Sequence, residues 1–314
     1  MEDGKKNKLL VILGPTASGK SDLAVYLAKK FNGEIISADS RQVYKYMDIG
    51  TGKVTKKEMD GVPHHMLDVA HPSRQFTVAQ YKKKADKIIH DIQKRGKLPI
   101  LVGGTGFYID SVVYNIEFPQ IKVNKELRRR LEKLSAEELF KMLKKKDPKR
   151  AKTIEAKNKR RLIRALEIIE ELGKVPETGD KRQARWDTLM IGIKVEKELL
   201  HKRIEKRLDV RLRQGPSASS GQDMVAEVKK LRKEYGVSWE RLENFGLEYR
   251  WIARFLQREI NKEDMREELA RDIKRYARRQ MVWFKRNKDI NWIELESKKQ
   301  LQKEAEGLVL KFLS

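Results

Sequence analysis

The sequence predicts an α/β protein with a P-loop NTPase-like parallel sheet core, a helical insertion domain and a helical C-terminal region. Three observations predict it. Leu9 to Leu13 is an apolar run of strand length, Gly14 to Ser21 (GPTASGKS) fits G-x-x-x-x-G-K-[ST], and Leu23, Leu27 and Phe31, with Ala24 and Ala28, recur at helical spacing. Strand-like and helix-like segments then alternate over roughly the first 110 residues, which argues a parallel, doubly wound sheet. Past Phe118 the chain becomes highly charged and helix-forming. The expected organisation is residues 1–117 as the first part of the core, 118–188 as the insertion, and 189–314 as a return to the core followed by helices.

Glu34 to Asp39 reads as a second strand ending in an acid. Ligands of open α/β sheets sit beyond the carboxyl ends of strands, so Asp39 belongs near the phosphate loop. Magnesium ligand, general base and helix cap are all open to it. Residues 40–53 mix aromatic, amide and glycine residues as binding loops do. In Pro63–His–His–Met–Leu–Asp–Val69, with His71 beyond, an ordered turn is favoured over a metal site, since no second histidine cluster completes one. Phe76 to Ile92 is an amphipathic helix, and Lys97 to Val102 is a third strand opening onto Gly103–Gly–Thr–Gly106.

In the insertion, Leu127, Leu131 and Leu134, then Leu139, Met142 and Leu143, mark helical faces. Its basic clusters, Arg128 to Arg130, Lys144 to Lys146 and Lys157 to Arg161, suit a phosphate backbone. Leu189 to Val195 returns to the sheet, and everything from Lys197 onward reads as helix. Within it, Arg203 and Arg207 lie one turn apart and could face a diphosphate. Gly215 to Asp223 is a polar loop. Leu269, Ile273, Tyr276 or Ala277, and Phe284 trace a buried stripe opposite Arg271, Arg275 and Arg278.

Lys and Arg total 71 against 46 Asp and Glu, a formal net charge of +25, which favours a polyanionic partner. The absence of cysteine excludes disulfides, thiolate metal sites and a thiol nucleophile. No signal peptide or membrane-length apolar run is present, so a cytoplasmic protein without a membrane partner is expected.

The glycine loop predicts a diphosphate cradle made of Gly14, Pro15, Thr16, Ala17, Ser18, Gly19, Lys20 and Ser21. Successive backbone N–H groups form a nest at the positive end of a helix, Lys20 reaches the outer phosphate, and the Ser21 hydroxyl ligates Mg²⁺. The pattern is shared with ATP-binding proteins, but the strand ending at Val102 lacks the acid of a Walker B element. A diphosphate held as leaving group would use the same parts for alkyl transfer. The residues alone specify a diphosphate, a base and a large basic surface.

Taken together, GPTASGKS, ISADSRQVYKYMDIGTGK (36–53), PHHMLDV (63–69), LPILVGGTGFY (98–108), RLIRALEI (161–168), FGLEYRW (245–251) and RRQMVWFKR (278–286) resemble the isopentenyl-diphosphate:tRNA transferase family, the tRNA dimethylallyltransferases. The resemblance runs over nearly the whole chain. It implies transfer of a dimethylallyl group from dimethylallyl diphosphate to N6 of the adenine 3′-adjacent to the anticodon, on a tRNA anticodon stem-loop clasped by the insertion, with Mg²⁺ and a monomeric enzyme. Asp39 would be the base, Thr105 would contact the reacting region, and Lys20 with Arg207 would hold diphosphate. Asp39, Ser40, Arg41, Gln42 and Thr105 would recognise the flipped adenine and its neighbours. Further RNA contacts would come from Arg128, then Arg160, Arg161, Leu162, Ile163 and Arg164. Phe245, Gly246, Leu247, Glu248, Tyr249 and Arg250 would add a second set, and Arg275, Tyr276, Ala277, Arg278, Arg279, Gln280 and Met281 a third. This chain departs from the family's pattern at Glu155 and Ala156, where His-Pro is common, and with an insertion at 216–223. Prenylation of a free adenine nucleotide and a P-loop nucleotide kinase are the alternatives.

Overall fold

The structure, a computed structural model, describes residues 7–119, 121, 124–176, 185–213 and 223–314. It divides into two compact units, one of residues 116–182 and one comprising 1–115 with 183–314.

The larger unit is built on a parallel six-stranded sheet of order β3-β2-β4-β1-β5-β6. In chain order it contains β1 (Lys8–Leu13), α1 (Lys20–Lys30), β2 (Gly33–Ala38), α2 (Lys56–Met59), β3 (His64–His65), α3 (Val78–Lys94), β4 (Leu98–Gly103) and α4 (Gly106–Val113). The smaller unit follows, with α5 (Lys125–Glu132), α6 (Ala136–Lys146), α7 (Pro148–Ala151) and α8 (Lys159–Leu172). The chain returns to the larger unit as β5 (Asp187–Lys194), α9 (Lys197–Arg213), α10 (Met224–Lys233), α11 (Trp239–Phe245), α12 (Leu247–Leu256), α13 (Lys262–Phe284), β6 (Ile290–Glu294) and α14 (Lys298–Leu313).

From Leu9 to Leu13 β1 is continuously apolar, because both faces of the sheet are covered. Its residues alternate between two cores, as the two-residue pleat requires. Leu9, Val11 and Leu13 pack with Tyr81 and Ile89 of α3, Val112 of α4 and Ile273 of α13. Leu10 and Ile12 pack with Leu23 and Leu27 of α1 and Leu301 and Val309 of α14. The carboxyl ends of β1, β2 and β4 therefore lie side by side and release Gly14, Asp39 and Gly104 at one edge of the sheet.

Two expectations are corrected. His64 and His65 form the short strand β3 beside β2, because Ile35 N–H bonds to the Pro63 carbonyl and extends the pairing. The chain beyond Lys197 is not all helix, since β6 adds a sixth strand beside β5. Ile290 and Ile293 are its buried residues, and their three-residue spacing lacks the strict alternation that marks a strand. The polar loop at 215–223 lies outside the described residues except for Asp223, which caps α10 by accepting from Ala226 N–H at 2.7 Å.

The smaller unit has its own core of Leu127, Leu131, Leu139, Leu143, Leu162 and Leu166. Asn124, Ser135, Asp147 and Asn158 cap its helices, and Glu138 completes a capping box with Ser135. Among the described residues, no helix is long and apolar enough to cross a membrane.

Candidate active site

The turn from β1 into α1 carries the glycine loop. Ala17 (φ 63°) and Gly19 (φ 89°) both take left-handed backbone, which curls the loop into a concave nest of amides. A Cβ on Gly14 would stand 2.9 Å from Ser18 Oγ, so close packing requires glycine there. The Ser18 hydroxyl is itself buried with no hydrogen-bond partner in the protein. Lys20 Nζ donates to the Pro15 carbonyl at 3.1 Å, which keeps the ammonium curled over the loop. Burial pulls Lys20 down to about 8, the positive charge of Arg207 adds to this, and Asp39 opposes it. Arg207 donates to Thr16 Oγ1, and burial with the charge of Arg211 lowers its pKa too. Two cations held out of water beside an amide nest form a site that an anion stabilises.

The opposing wall comes from the ends of β2 and β4. Asp39 Oδ1 accepts from the N–H groups of Arg41 (2.8 Å) and Gln42 (3.3 Å), which fixes the carboxylate in a local turn. Thr105 N–H donates to the Ala38 carbonyl at 3.1 Å, and Thr105 Oγ1 accepts from Ser40 N–H at 3.0 Å. These bonds stitch the two loops together and set Thr105 beside Asp39. They require a glycine before them, since a Cβ on Gly103 would meet the Ala38 carbonyl oxygen at 2.1 Å. Tyr276 of α13 is hydrogen-bonded to Thr105, and burial foremost, then the negative charge of Asp39, pushes its phenol well up. It is a neutral phenol at physiological pH.

The third wall is the loop 40–53, and it is braced throughout. Arg41 Nε donates to the Phe245 carbonyl at 2.9 Å, and its guanidinium lies 5.6 Å from the centre of that ring. Gln42 spans Ser37 Oγ (3.1 Å) and the Gly52 carbonyl (3.2 Å). The buried carboxylate of Glu227 accepts from the N–H groups of Asp48, Ile49 and Gly50 at 2.7, 2.6 and 3.1 Å, and from the Tyr249 hydroxyl at 2.8 Å. Lys53 Nζ is shared by the Tyr44 carbonyl, Asp48 and Asp68. The Arg211 guanidinium occupies the space that a side chain on Gly52 would need. Half-buried Glu248 sits within the fields of Arg211, Arg207 and Asp39, and burial raises its pKa. Sequence reasoning missed Glu227, Arg211 and Lys53. Glu227 and Arg211 act from far along the chain, whereas Lys53 closes its own loop onto Tyr44, Asp48 and Asp68.

Several residues expected to contact RNA have buried or engaged side chains. Leu162 and Ile163 are core residues of the smaller unit. Phe245, Tyr249 and Ala277 pack inside the larger one, and their side chains support its surface without forming it. Gln280 is 6% exposed and is bonded to Thr16 and Gly104. Arg128 is engaged with buried Glu167 through two bonds of 2.7 Å, and Arg164 joins the same carboxylate at 3.2 Å. Arg160, Arg161, Arg275, Arg278 and Arg279 remain on the surface. Gly246, Leu247, Arg250 and Met281 are half-buried. Gly246 and Leu247 both have positive φ, so the chain breaks sharply between α11 and α12.

The histidines are engaged with neighbours: His64 with the Val62 carbonyl, His65 with Glu34 and His71 with Ser73. Among the described residues, no group of three or more His, Cys, Asp or Glu is placed to hold a metal ion.

The family model described as IPP transferase matches residues 42–287. A tRNA dimethylallyltransferase of Caldanaerobacter subterraneus subsp. tengcongensis is 41% identical over 315 residues, 96% of each chain. One of Halothermothrix orenii is 42% identical over 297 residues, 92% of this chain and 88% of that protein. Among solved structures, the full-length tRNA isopentenylpyrophosphate transferase of Bacillus halodurans matches with a TM-score of 0.72 at 36% identity, covering 98% of this chain and 97% of its own. A eukaryotic dimethylallyltransferase acting on tRNA matches with a TM-score of 0.81 at 28% identity, over 97% of this chain and 78% of its own. The chain belongs to the IPP transferase family.

Proposed function

We propose that this protein transfers a dimethylallyl group from dimethylallyl diphosphate to N6 of the adenine 3′-adjacent to the anticodon of tRNA, releasing diphosphate. The observation that carries the reading is the pairing of a cationic amide nest, with Lys20 and Arg207, against a single braced carboxylate, Asp39, stitched to Thr105. The names of the relatives, tRNA dimethylallyltransferase, support it.

The adenine N6 attacks C1 of the prenyl group as the C1–O bond to diphosphate breaks. The departing electron pair stays on the diphosphate, where the loop amides, Lys20 and Arg207 stabilise it. Asp39 accepts the N6 proton, and Thr105, backed by Tyr276, orients the amine. The Ser21 hydroxyl fits Mg²⁺, which takes most of its ligands from phosphate and water. Bound there, the ion would add positive charge at the leaving group.

The anticodon stem-loop is the expected RNA element, since a base must leave its stack to reach Asp39. Ser40, Arg41 and Gln42 line its approach, and the exposed arginines at 160, 161, 275, 278 and 279 meet phosphates. We further propose a monomer in the cytoplasm.

The test incubates the protein with dimethylallyl diphosphate, Mg²⁺ and an anticodon stem-loop, followed by mass spectrometry of the nucleosides. A prenylated adenosine at the position after the anticodon is expected. Modified free AMP with unmodified RNA would identify a small-molecule transferase, and ATP consumption without prenyl transfer would identify a kinase.

A further inference from the structure

The side-chain amide of Gln280 lies between the two loops that hold the reactants. Its Oε1 accepts from Thr16 N–H at 2.9 Å, and its Nε2 donates to the Gly104 carbonyl at 2.8 Å. Gln280 is 6% exposed; its bond to Gly104 is buried and that to Thr16 partly so, and losing the first leaves a buried polar group unsatisfied. The fit is close: a Cβ on Gly104 would stand 2.2 Å from Gln280 Nε2. Thr16 is pinned a second time through its hydroxyl by Arg207, and Gly104 directly precedes Thr105, which is bonded to Ser40.

We infer that Gln280 is a positioning residue for the transfer step: one planar amide fixes the separation between the diphosphate cradle and the acceptor loop. The inference rests on the functional reading above and deepens it. Reaction requires C1 of the donor and N6 of the acceptor to meet along one line, and a misplacement of about 1 Å costs on the order of 10² in rate. A bracket that grips the main chain of both loops controls that gap and touches neither substrate. Gln280 does this from α13, whose outer face carries Arg271, Arg275, Arg278 and Arg279. The helix offered to RNA thus also sets the distance over which the prenyl group travels. The bracket also takes up Thr16 N–H, so this amide is not one of the donors facing phosphate.

The test compares wild-type protein with Gln280→Met, which keeps the volume and loses both bonds, and Gln280→Glu, which keeps an acceptor for Thr16 and loses the donor to Gly104. Single-turnover rates are measured with both substrates saturating, together with donor KM, stem-loop Kd and thermal midpoint. The expected result is a rate lowered about 10- to 100-fold in Gln280→Met. Donor KM and RNA Kd should stay within about threefold of wild type, and the rate of Gln280→Glu should fall in between. Wild-type rates in Gln280→Met would overturn the inference. So would a loss explained entirely by weaker donor or RNA binding, or by the unfolded fraction at the assay temperature. Wild-type protein that transfers no prenyl group would overturn the functional reading itself, and it is recognised before any variant is compared.

Discussion

Ser40 N–H donates to Thr105 Oγ1 at 3.0 Å, joining the residue after the candidate base to the loop after β4. The bond decides where the Asp39 carboxylate stands relative to the reacting amine. Thr105→Val removes the acceptor at nearly constant volume and leaves the Ser40 amide unsatisfied. The expected outcome is a kcat lowered about tenfold or more, with about 1 kcal/mol of stability lost, while Thr105→Ser stays near wild type. Steady-state kinetics and urea melts check it.

Asp39→Ala should lower turnover by about 10²-fold, the usual scale for a general base. RNA binding should fall far less than turnover, because losing Oδ1 loosens only the local turn at Arg41 and Gln42, whose side chains are held elsewhere, by Phe245, Ser37 and Gly52. Filter binding and single-turnover assays on the same preparation separate the two effects, and unchanged turnover would remove Asp39 from the chemistry.

Lys20 gives a pH prediction with a definite sign. Burial and Arg207 lower its pKa to about 8 from an ordinary 10.5. Between those values the unfolded chain holds the proton more tightly, so this group's contribution to stability rises with pH across that window. A bound diphosphate would favour the charged ammonium, so donor binding takes up a proton just above pH 8. Calorimetry in buffers of different ionisation enthalpy should detect the uptake, and Lys20→Met should abolish it.

Gly52→Ala should disrupt the wall formed by residues 48–53. Gly52 has φ +59°, and a Cβ there would lie 1.6 Å from Arg211 Nη2. Displacing a buried guanidinium and straining the backbone together should cost about 1–3 kcal/mol. The thermal midpoint should fall and stem-loop affinity should weaken with it. Gly61→Ala is the control, since that glycine also has positive φ (+78°) but open space around it.

Arg275→Ala should weaken stem-loop binding and make the salt dependence shallower by about one unit of slope, as expected for a lost phosphate contact. Its distant ion pair with Asp272, at 3.5 Å, leaves the guanidinium exposed enough to serve RNA. A salt titration of the affinity with an unchanged slope would exclude the contact.

The loops that converge at the candidate site were legible in the sequence because their signals are local. The glycine loop, Asp39 after a strand and Gly103–Gly–Thr–Gly106 each announce themselves within about ten residues. The bracing partners were not legible, because Glu227 supports Gly50 from 177 residues away and Gln280 supports Thr16 from 264. No periodicity encodes such a pairing. Burial also divided short motifs that read as single surfaces. In the stretch from Arg160 to Arg164 the arginines face outward or toward Glu167, while Leu162 and Ile163 face inward. The helical pitch enforces that split. β6 escaped notice because Trp292 and Asn291 interrupt its apolar pair.

The carboxylate of Glu227 makes four hydrogen bonds to the loop it supports and to Tyr249 before any RNA arrives. A segment already immobilised loses little further freedom when a ligand docks on it. Docking on the loop 40–53 should therefore behave as a meeting of rigid surfaces, with a small heat-capacity change from this region and an association rate governed by diffusion and charge.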